Sequence, residues 1–308
     1  MAAPIKVGVL GSTGRTGESV VEGLLASETK FEVTALTRPS SLDSTEINSF
    51  RGRGVRIVAV DVATAAKAEL TQAFAGLDVL VSAVSFKAIT DQLRLLDSIK
   101  EAGVKRFVPC FWGTPAARGE QYLLDWKLDV LDAVQRADIP YTTIDVGWWS
   151  QFYLIPGDGN VRNVFLDVRD IGKYAAKIIA DPRTLNRRVL AYTDISTLNE
   201  AYDLMDELSG EKSERIYRSI EDIRNPLEEA KVALKKDPAD QTALFALITN
   251  QYLDSWGLRG HNTPEYAKYL GYLDVRELYP GGVAGAKSLR SYFADILAGQ
   301  LSGNKDMK

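Results

Sequence analysis

Three glycines, Gly11, Gly14 and Gly17, stand three residues apart in the run LGSTGRTG near the start of the chain. They follow an apolar stretch, residues 5–10 (IKVGVL), and lead into residues 15–27, where Val20, Val21, Leu24 and Leu25 recur at helical spacing. A strand that turns on glycine into a helix brings free backbone amides and the positive end of a helix dipole to one point. That arrangement suits a pyrophosphate. In this reading Gly11 allows the turn, Gly14 lets the backbone approach the phosphates, and Gly17 lets the helix pack close to the sheet. Thr13, Arg15 and Thr16 fill the loop between them. The alternative is a plain tight turn.

The second apolar run ends ALTRPSS, with Arg38 where a carboxylate would hold the ribose hydroxyls of NAD(H). A guanidinium suits a 2′-phosphate instead, and Arg15 is placed to join it. The expected cofactor is therefore NADP(H); the alternative is an Arg38 that is merely exposed. Asp61, in VAVDV, either touches the adenine edge or caps the next turn. Ser82, Ala83 and Val84 end the fourth run, where small side chains admit the nicotinamide half.

Lys127 lies in a segment, residues 120–136, of helical periodicity. At about 100° per residue, Leu123, Leu124, Val130, Leu131 and Val134 all fall within roughly 60° of it. A lysine in the middle of an apolar stripe either snorkels past its edge or carries its ammonium to a site. Aimed at the nicotinamide ribose, it would position cofactor and assist proton transfer. His261, the one histidine, sits in an aperiodic polar and aromatic loop and is either an acid–base group or structural. Cys110 is either a pocket-lining hydrophobe or a nucleophile, and no neighbour in sequence would lower its pKa. Cys110, Phe111 and Trp112 end the fifth apolar run, and Trp148, Trp149, Phe152 and Tyr153 follow the sixth. Together they are expected to line a substrate pocket, the alternative for the second group being an interface core.

These residues need a scaffold, and the pattern supplies one. Apolar runs IKVGVL, FEVTALTR, VRIVAVDV, LDVLVSAV, KRFVPCFW and PYTTIDVG alternate with helical segments, including one over TDQLRLLDSIKEAG. That alternation predicts an α/β fold with a doubly wound parallel sheet, a Rossmann architecture. The later chain is mostly helical. Thr197 and Glu200 are spaced as a capping box, and Gly210 is that helix's stop. The expected division is a cofactor-binding domain over 1–150, continued by about 161–195, and a smaller substrate-binding part over 196–308.

With 308 residues and 45% hydrophobic side chains, the chain can bury a sizeable core. A net charge of −4 argues against nucleic acid as a partner. One cysteine excludes an internal disulfide, and with one histidine it cannot build a His/Cys zinc site; no metal is expected. No run approaches the ~20 apolar residues that span a bilayer, and MAAP passes straight into a strand without room for a signal peptide. A reducing, cytoplasmic setting is expected, with a small-molecule substrate and a monomer or homodimer.

The segments GVLGSTGRTG, ALTRP, VSAVS, EAGVKRFVPCFWG and IPYTTIDVGWW resemble the NmrA-like and isoflavone-reductase-like families of atypical short-chain dehydrogenases, over about residues 5–185. The resemblance implies a Rossmann fold, NADP(H), and reduction of a phenolic or other secondary metabolite; some members act as redox-sensing regulators. It also implies catalysis by a lysine without the usual tyrosine, since Leu123 stands four residues before Lys127. Where the family reads P-S-E-F-G this chain reads PCFWG, so Cys110 and Phe111 replace a serine and a glutamate and make the pocket more apolar. The leading expectation is an NADPH-dependent reductase of an aromatic or polyketide-like metabolite. The alternatives are an NADP(H)-sensing regulator and an isomerase, epimerase, dehydratase or cyclase on the same fold.

Overall fold

The structure, a computed structural model, describes residues 3–147 and 154–300. Trp148, Trp149, Phe152 and Tyr153 lie outside the described residues. The six apolar runs form strands β1 (Ile5–Leu10), β2 (Phe31–Thr37), β3 (Arg56–Ala59), β4 (Val79–Ser82), β5 (Arg106–Val108) and β6 (Thr142–Asp145). Helices α1 (Arg15–Leu25), α2 (Thr45–Gly52), α3 (Lys67–Phe74), α4 (Leu96–Glu101) and α5 (Tyr122–Arg136) connect them. Strands β7 (Ile155–Pro156) and β8 (Asn163–Phe165), helix α6 (Ile171–Ala180), and strands β9 (Arg187–Leu190) and β10 (Asp194–Ser196) follow. The last third holds α7 (Leu198–Ser209), β11 (Tyr217–Arg218), α8 (Ile220–Lys236), α9 (Gln241–Tyr252), α10 (Pro264–Tyr269), β12 (Tyr272–Asp274), α11 (Val275–Leu278) and α12 (Leu289–Leu297).

The strands run in the order β3-β2-β1-β4-β5, all parallel. A parallel bridge from Phe107 to Tyr141 carries the sheet on to β6, and β9 and β12 extend it in parallel. This is the doubly wound α/β fold that the alternation predicts. Side-chain alternation along each strand feeds two cores. Val7, Val9, Val79 and Val81 meet α1, α2 and α6 on one face; Leu10, Leu36, Leu80 and Phe107 meet α3, α4 and α5 on the other. Each fully buried aliphatic or phenyl side chain contributes about 1.5–3 kcal/mol, so both faces are strongly specified.

Three elements depart from the sequence pattern. KRFVPCFW is a strand only over Arg106–Val108, because Pro109 has no amide to donate and Trp112 has φ 38°. TDQLRLLDSIKEAG splits into a 3₁₀ segment, Thr90–Leu95, and the short α4. The last third is mostly helical, but Tyr272–Asp274 returns to the main sheet beside β9, a strand too short to leave a period. Thr197 and Glu200 form the capping box at α7, and Gly210 ends that helix at φ 73°.

One contact outside the site holds α1 in place. A Cβ on Gly23 would stand 2.0 Å from the Gly172 carbonyl carbon, so α1 and α6 touch backbone to backbone. The Ser19 hydroxyl accepts from the Gly172 amide at 3.0 Å. This crossing orients the α1 N-terminus toward the carboxyl edge of the sheet.

Candidate active site

The glycine loop opens one side of a groove of about 450 Å³ at the carboxyl ends of β1, β2 and β4. Gly11 has φ 73°, and a Cβ there would meet the Ala83 carbonyl oxygen at 2.4 Å, so only glycine fits between loop and strand. A Cβ on Gly17 would strike the Gly11 carbonyl at 2.1 Å. Its close approach is therefore to the loop's own backbone rather than to the sheet. Gly14 differs. It caps α1 at φ −81°, and the nearest atom to an added Cβ is the Gly11 oxygen at 3.4 Å. The space above Gly14 is the groove itself, and the first-turn amides of α1 have no side-chain cap. A cradle with no Cβ, at a helix N-terminus that no side chain caps, fits a pyrophosphate.

Thr13, Arg38 and Asp61 line the same groove. Among the described residues Arg38 makes no ion pair, so its guanidinium is available for an anion. One Asp61 oxygen accepts from the Ala63 amide at 3.0 Å, so this residue caps the next turn while facing the groove. Arg15 and Gly17 line neither this groove nor the cavity beyond it. Ser82 is fully buried; its carbonyl accepts from Trp112 Nε1 at 2.8 Å, and it too lines neither.

Ala83 and Val84 are shared between the groove and a second cavity of about 280 Å³. The two chambers therefore meet at the end of β4. The inner one is largely apolar, lined among others by Phe86, Ile89, Cys110, Phe111, Trp112 and Leu123. Thr16 of the glycine loop reaches it, as do Gly113, Thr114, Gly147 and Tyr252. Trp112 holds φ 38°, a rare backbone state for a bulky residue. Its indole bond to Ser82 and its amide bond to the Ile144 carbonyl at 2.9 Å fix that bend. The bend swings residues 110–114 across the sheet end to form the cavity wall.

Lys127 lines this inner cavity from α5 and is 8% exposed. Leu124, Val130, Leu131 and Val134 are buried around it, as the helical spacing predicts, and Leu123 faces the cavity. The ammonium donates to the Phe111 carbonyl oxygen. That bond uses one proton donor and leaves the cation at the wall of an apolar chamber. The lysine therefore does not snorkel to solvent.

Cys110 is a thiol, not a thiolate. Burial raises its pKa to about 11 despite the nearby Lys127 charge, and Sγ donates to the Val84 carbonyl at 3.3 Å. It lines the wall and is not a nucleophile at neutral pH.

His261 does not reach the cavity. It is buried, stacks on Tyr266 at 4.2 Å, and its Nδ1 meets the Ser255 hydroxyl at 3.0 Å. Ser255 accepts from Gln121 Nε2 at 2.9 Å, and Gln121 also donates to the Thr114 hydroxyl at 3.1 Å. The histidine is thus linked to the cavity wall through two side chains. Burial lowers its pKa, and Arg259 adds to the effect against Asp254, so the ring is neutral near pH 7.

The sequence reading missed Asp145, which ends β6 with no exposure. Its carboxylate accepts from the Tyr272 hydroxyl at 2.6 Å and from the Gly113 amide at 3.3 Å. Arg188 donates to the same hydroxyl and stacks 4.2 Å from the Tyr272 ring. Burial raises the Asp145 pKa, while the Lys127 and Arg188 cations oppose that rise. The group fastens the cavity wall at Gly113 from behind. A carboxylate inside the apolar run TTIDVG was the available signal. Tyr252, also missed, had none, because it comes from the far side of the chain.

Comparison with known proteins places these features in context. The NmrA-like family model matches residues 5–236. The chain is 38% identical over 298 residues to asnovolin J 5′,6′-dehydrogenase nvfM of Aspergillus novofumigatus, covering 90% of this chain and 91% of that protein. It is 31% identical over 263 residues to phenylcoumaran benzylic ether reductase TP7 of Nicotiana tabacum, covering 76% and 84%. A solved structure of AtPrR2 with NADP+ and (+)pinoresinol superposes with a TM-score of 0.78 at 26% identity, covering 95% of this chain and 99% of that one.

Proposed function

The chain belongs to the NmrA-like family, and from that premise we propose that it transfers hydride between NADP(H) and an uncharged, aromatic or polyketide-like secondary metabolite held in the inner cavity. It is an NADP-dependent oxidoreductase. One observation carries the substrate side: a lysine ammonium stands at the wall of an apolar chamber that joins the glycine-loop groove at Ala83 and Val84.

In this reading the α1 amides and the Gly14 cradle hold the pyrophosphate, and Arg38 holds the 2′-phosphate. NADP(H), when bound, supplies or accepts the hydride. Lys127 orients the nicotinamide ribose and steadies negative charge that develops on the substrate. Its bond to Phe111 keeps it on that wall. Phe111, Ile89 and Leu123 exclude water, which strengthens the ammonium's field. Cys110 shapes the wall and takes no chemical part. The division of labour follows the two chambers: residues 1–150, continued by about 161–195, hold the cofactor, and 196–308 complete the substrate side. The names of two relatives, a dehydrogenase and a reductase, support hydride chemistry in either direction.

The test is a screen for NADPH consumption, and for NADP+ reduction, across aromatic and polyketide-like metabolites. A compound whose turnover changes NADPH absorbance one for one with product supports the reading. Conversion of a compound without any change in NADPH would favour an isomerase instead.

A further inference from the structure

The function proposed above names no proton donor, and Leu123 occupies the position four residues before Lys127. The cavity contains a phenol from elsewhere. Tyr252, the last residue of α9, lines the chamber that holds Lys127. A Cβ placed on Gly113 would stand 3.3 Å from Lys127 Nζ and 3.8 Å from the Tyr252 hydroxyl. The two polar tips thus converge on one small volume that only the missing side chain of Gly113 keeps open.

The tyrosine is held there by several independent contacts. Its ring packs against the core of Ile155, Phe165 and Trp256. Immediately after it the helix widens into a π turn, Leu253–Leu258, a distortion that re-aims side chains and recurs at functional sites. The preceding residue, Gln251, accepts from the Tyr122 amide at the start of α5 at 2.8 Å. Gln121 Nε2 ties the same junction to Ser255 in the π turn at 2.9 Å. The helix that carries Lys127 and the helix that carries Tyr252 are therefore fastened together at the cavity.

We propose that Tyr252 is the catalytic proton donor, acting on the carbonyl oxygen of an uncharged aromatic ketone or enone. This rests on the function proposed above. The substrate carbon takes hydride from NADPH, which becomes NADP+. The displaced π electron pair passes to the carbonyl oxygen, directly or through the conjugated double bond. That oxygen takes the Tyr252 proton, and the phenolate regains a proton from water at the cavity mouth. The Lys127 ammonium steadies the negative charge while it resides on either oxygen. Other groups on the wall serve worse. Cys110 donates to the Val84 carbonyl and has a raised pKa, and the hydroxyls of Thr16 and Thr114 are far weaker acids than a phenol.

The experiment uses the full chain and 6-acetyl-2-(dimethylamino)naphthalene, an uncharged aryl ketone that emits at longer wavelength when its carbonyl accepts a hydrogen bond. No cofactor or turnover is needed. The native protein should bind the probe, and Gly113→Ala, which fills the space between the two tips, should weaken binding and so locate it. In Tyr252→Phe the probe should still bind, within about threefold of native affinity, with emission moved to shorter wavelength. The same variant should lose about 10²-fold in turnover of any ketone the native enzyme reduces, with NADPH affinity unchanged. Identical probe emission in native protein and Tyr252→Phe would overturn the proposal and leave the cavity's reading intact. Failure of the native protein to bind the probe would overturn that reading itself, and the proposal with it.

Discussion

The ammonium of Lys127 donates to the carbonyl oxygen of Phe111, so the charge on α5 is tied to the loop that follows β5. The loop is itself pinned to β4 by Trp112 and to β6 through the Gly113–Asp145 contact. The cation is thereby fixed at the wall of the apolar cavity, which joins the glycine-loop groove at Ala83 and Val84. The remaining expectations follow from that placement.

Cofactor choice is the first. Arg38 faces the groove without an ion-pair partner among the described residues. NADPH should bind at least about 10-fold more tightly than NADH, or ~1.4 kcal/mol, through a charge-assisted pair. Arg38→Ala should remove most of that preference while leaving NADH affinity nearly unchanged. Titration of both cofactors by fluorescence checks it, and equal native affinities would contradict it.

The three glycines should respond differently. A side chain on Gly14 projects into the groove and meets no backbone atom closer than 3.4 Å. Gly14→Val should therefore keep the native circular dichroism and thermal midpoint but abolish cofactor binding. Gly17→Ala, with a Cβ 2.1 Å from the Gly11 oxygen, should displace the loop and lower the midpoint as well. Normal cofactor affinity in Gly14→Val would mean that the loop is only a turn.

Gly113 keeps the space between Lys127 and Tyr252 open. Its backbone is outside the left-handed region, so alanine meets no conformational strain there. The added methyl presses on the flexible end of a lysine, which can give way, so stability should change by less than about 1 kcal/mol. Substrate KM should nonetheless rise about 10-fold, because the methyl occupies the reacting volume. Unchanged steady-state parameters would place the substrate elsewhere.

His261 gives a pH signature in stability. Its folded pKa lies below the ordinary 6.5 because burial and Arg259 disfavour the cation. Between the lowered folded value and 6.5 the unfolded chain binds a proton that the folded chain does not. Stability contributed by this group therefore rises with pH through that window and is level above it. In His261→Gln that rise should disappear, so the native urea midpoint should climb relative to the variant's as pH rises to about 6.5 and keep a constant difference above it. Identical pH slopes would show that the ring is not held neutral.

The doubly wound sheet was legible because short runs rich in apolar and β-branched residues alternate with helical segments along the first half of the chain. The glycine loop was legible because its residues are contiguous. Lys127 was legible because one charge broke an apolar arc on a single helix. Asp145, Tyr252 and the Gln121–Ser255–His261 chain are contacts between segments far apart in sequence, and local period carries no trace of them. His261 reads as a free acid–base candidate until Ser255 and Tyr266 are seen against it. Strand β12 has three residues and pairs only because β9 presents an open edge to it.

The central claim is that the Lys127 charge serves catalysis at the wall of the inner cavity. Lys127→Met keeps the length and apolar stem and removes the cation from a buried position, so the fold should hold or gain stability. The paired measurement is steady-state turnover of a substrate found by the NADPH screen together with NADPH affinity by titration. Turnover should fall about 10²-fold or more while affinity weakens only modestly, since the pyrophosphate and 2′-phosphate contacts remain. Full turnover in Lys127→Met would contradict the account.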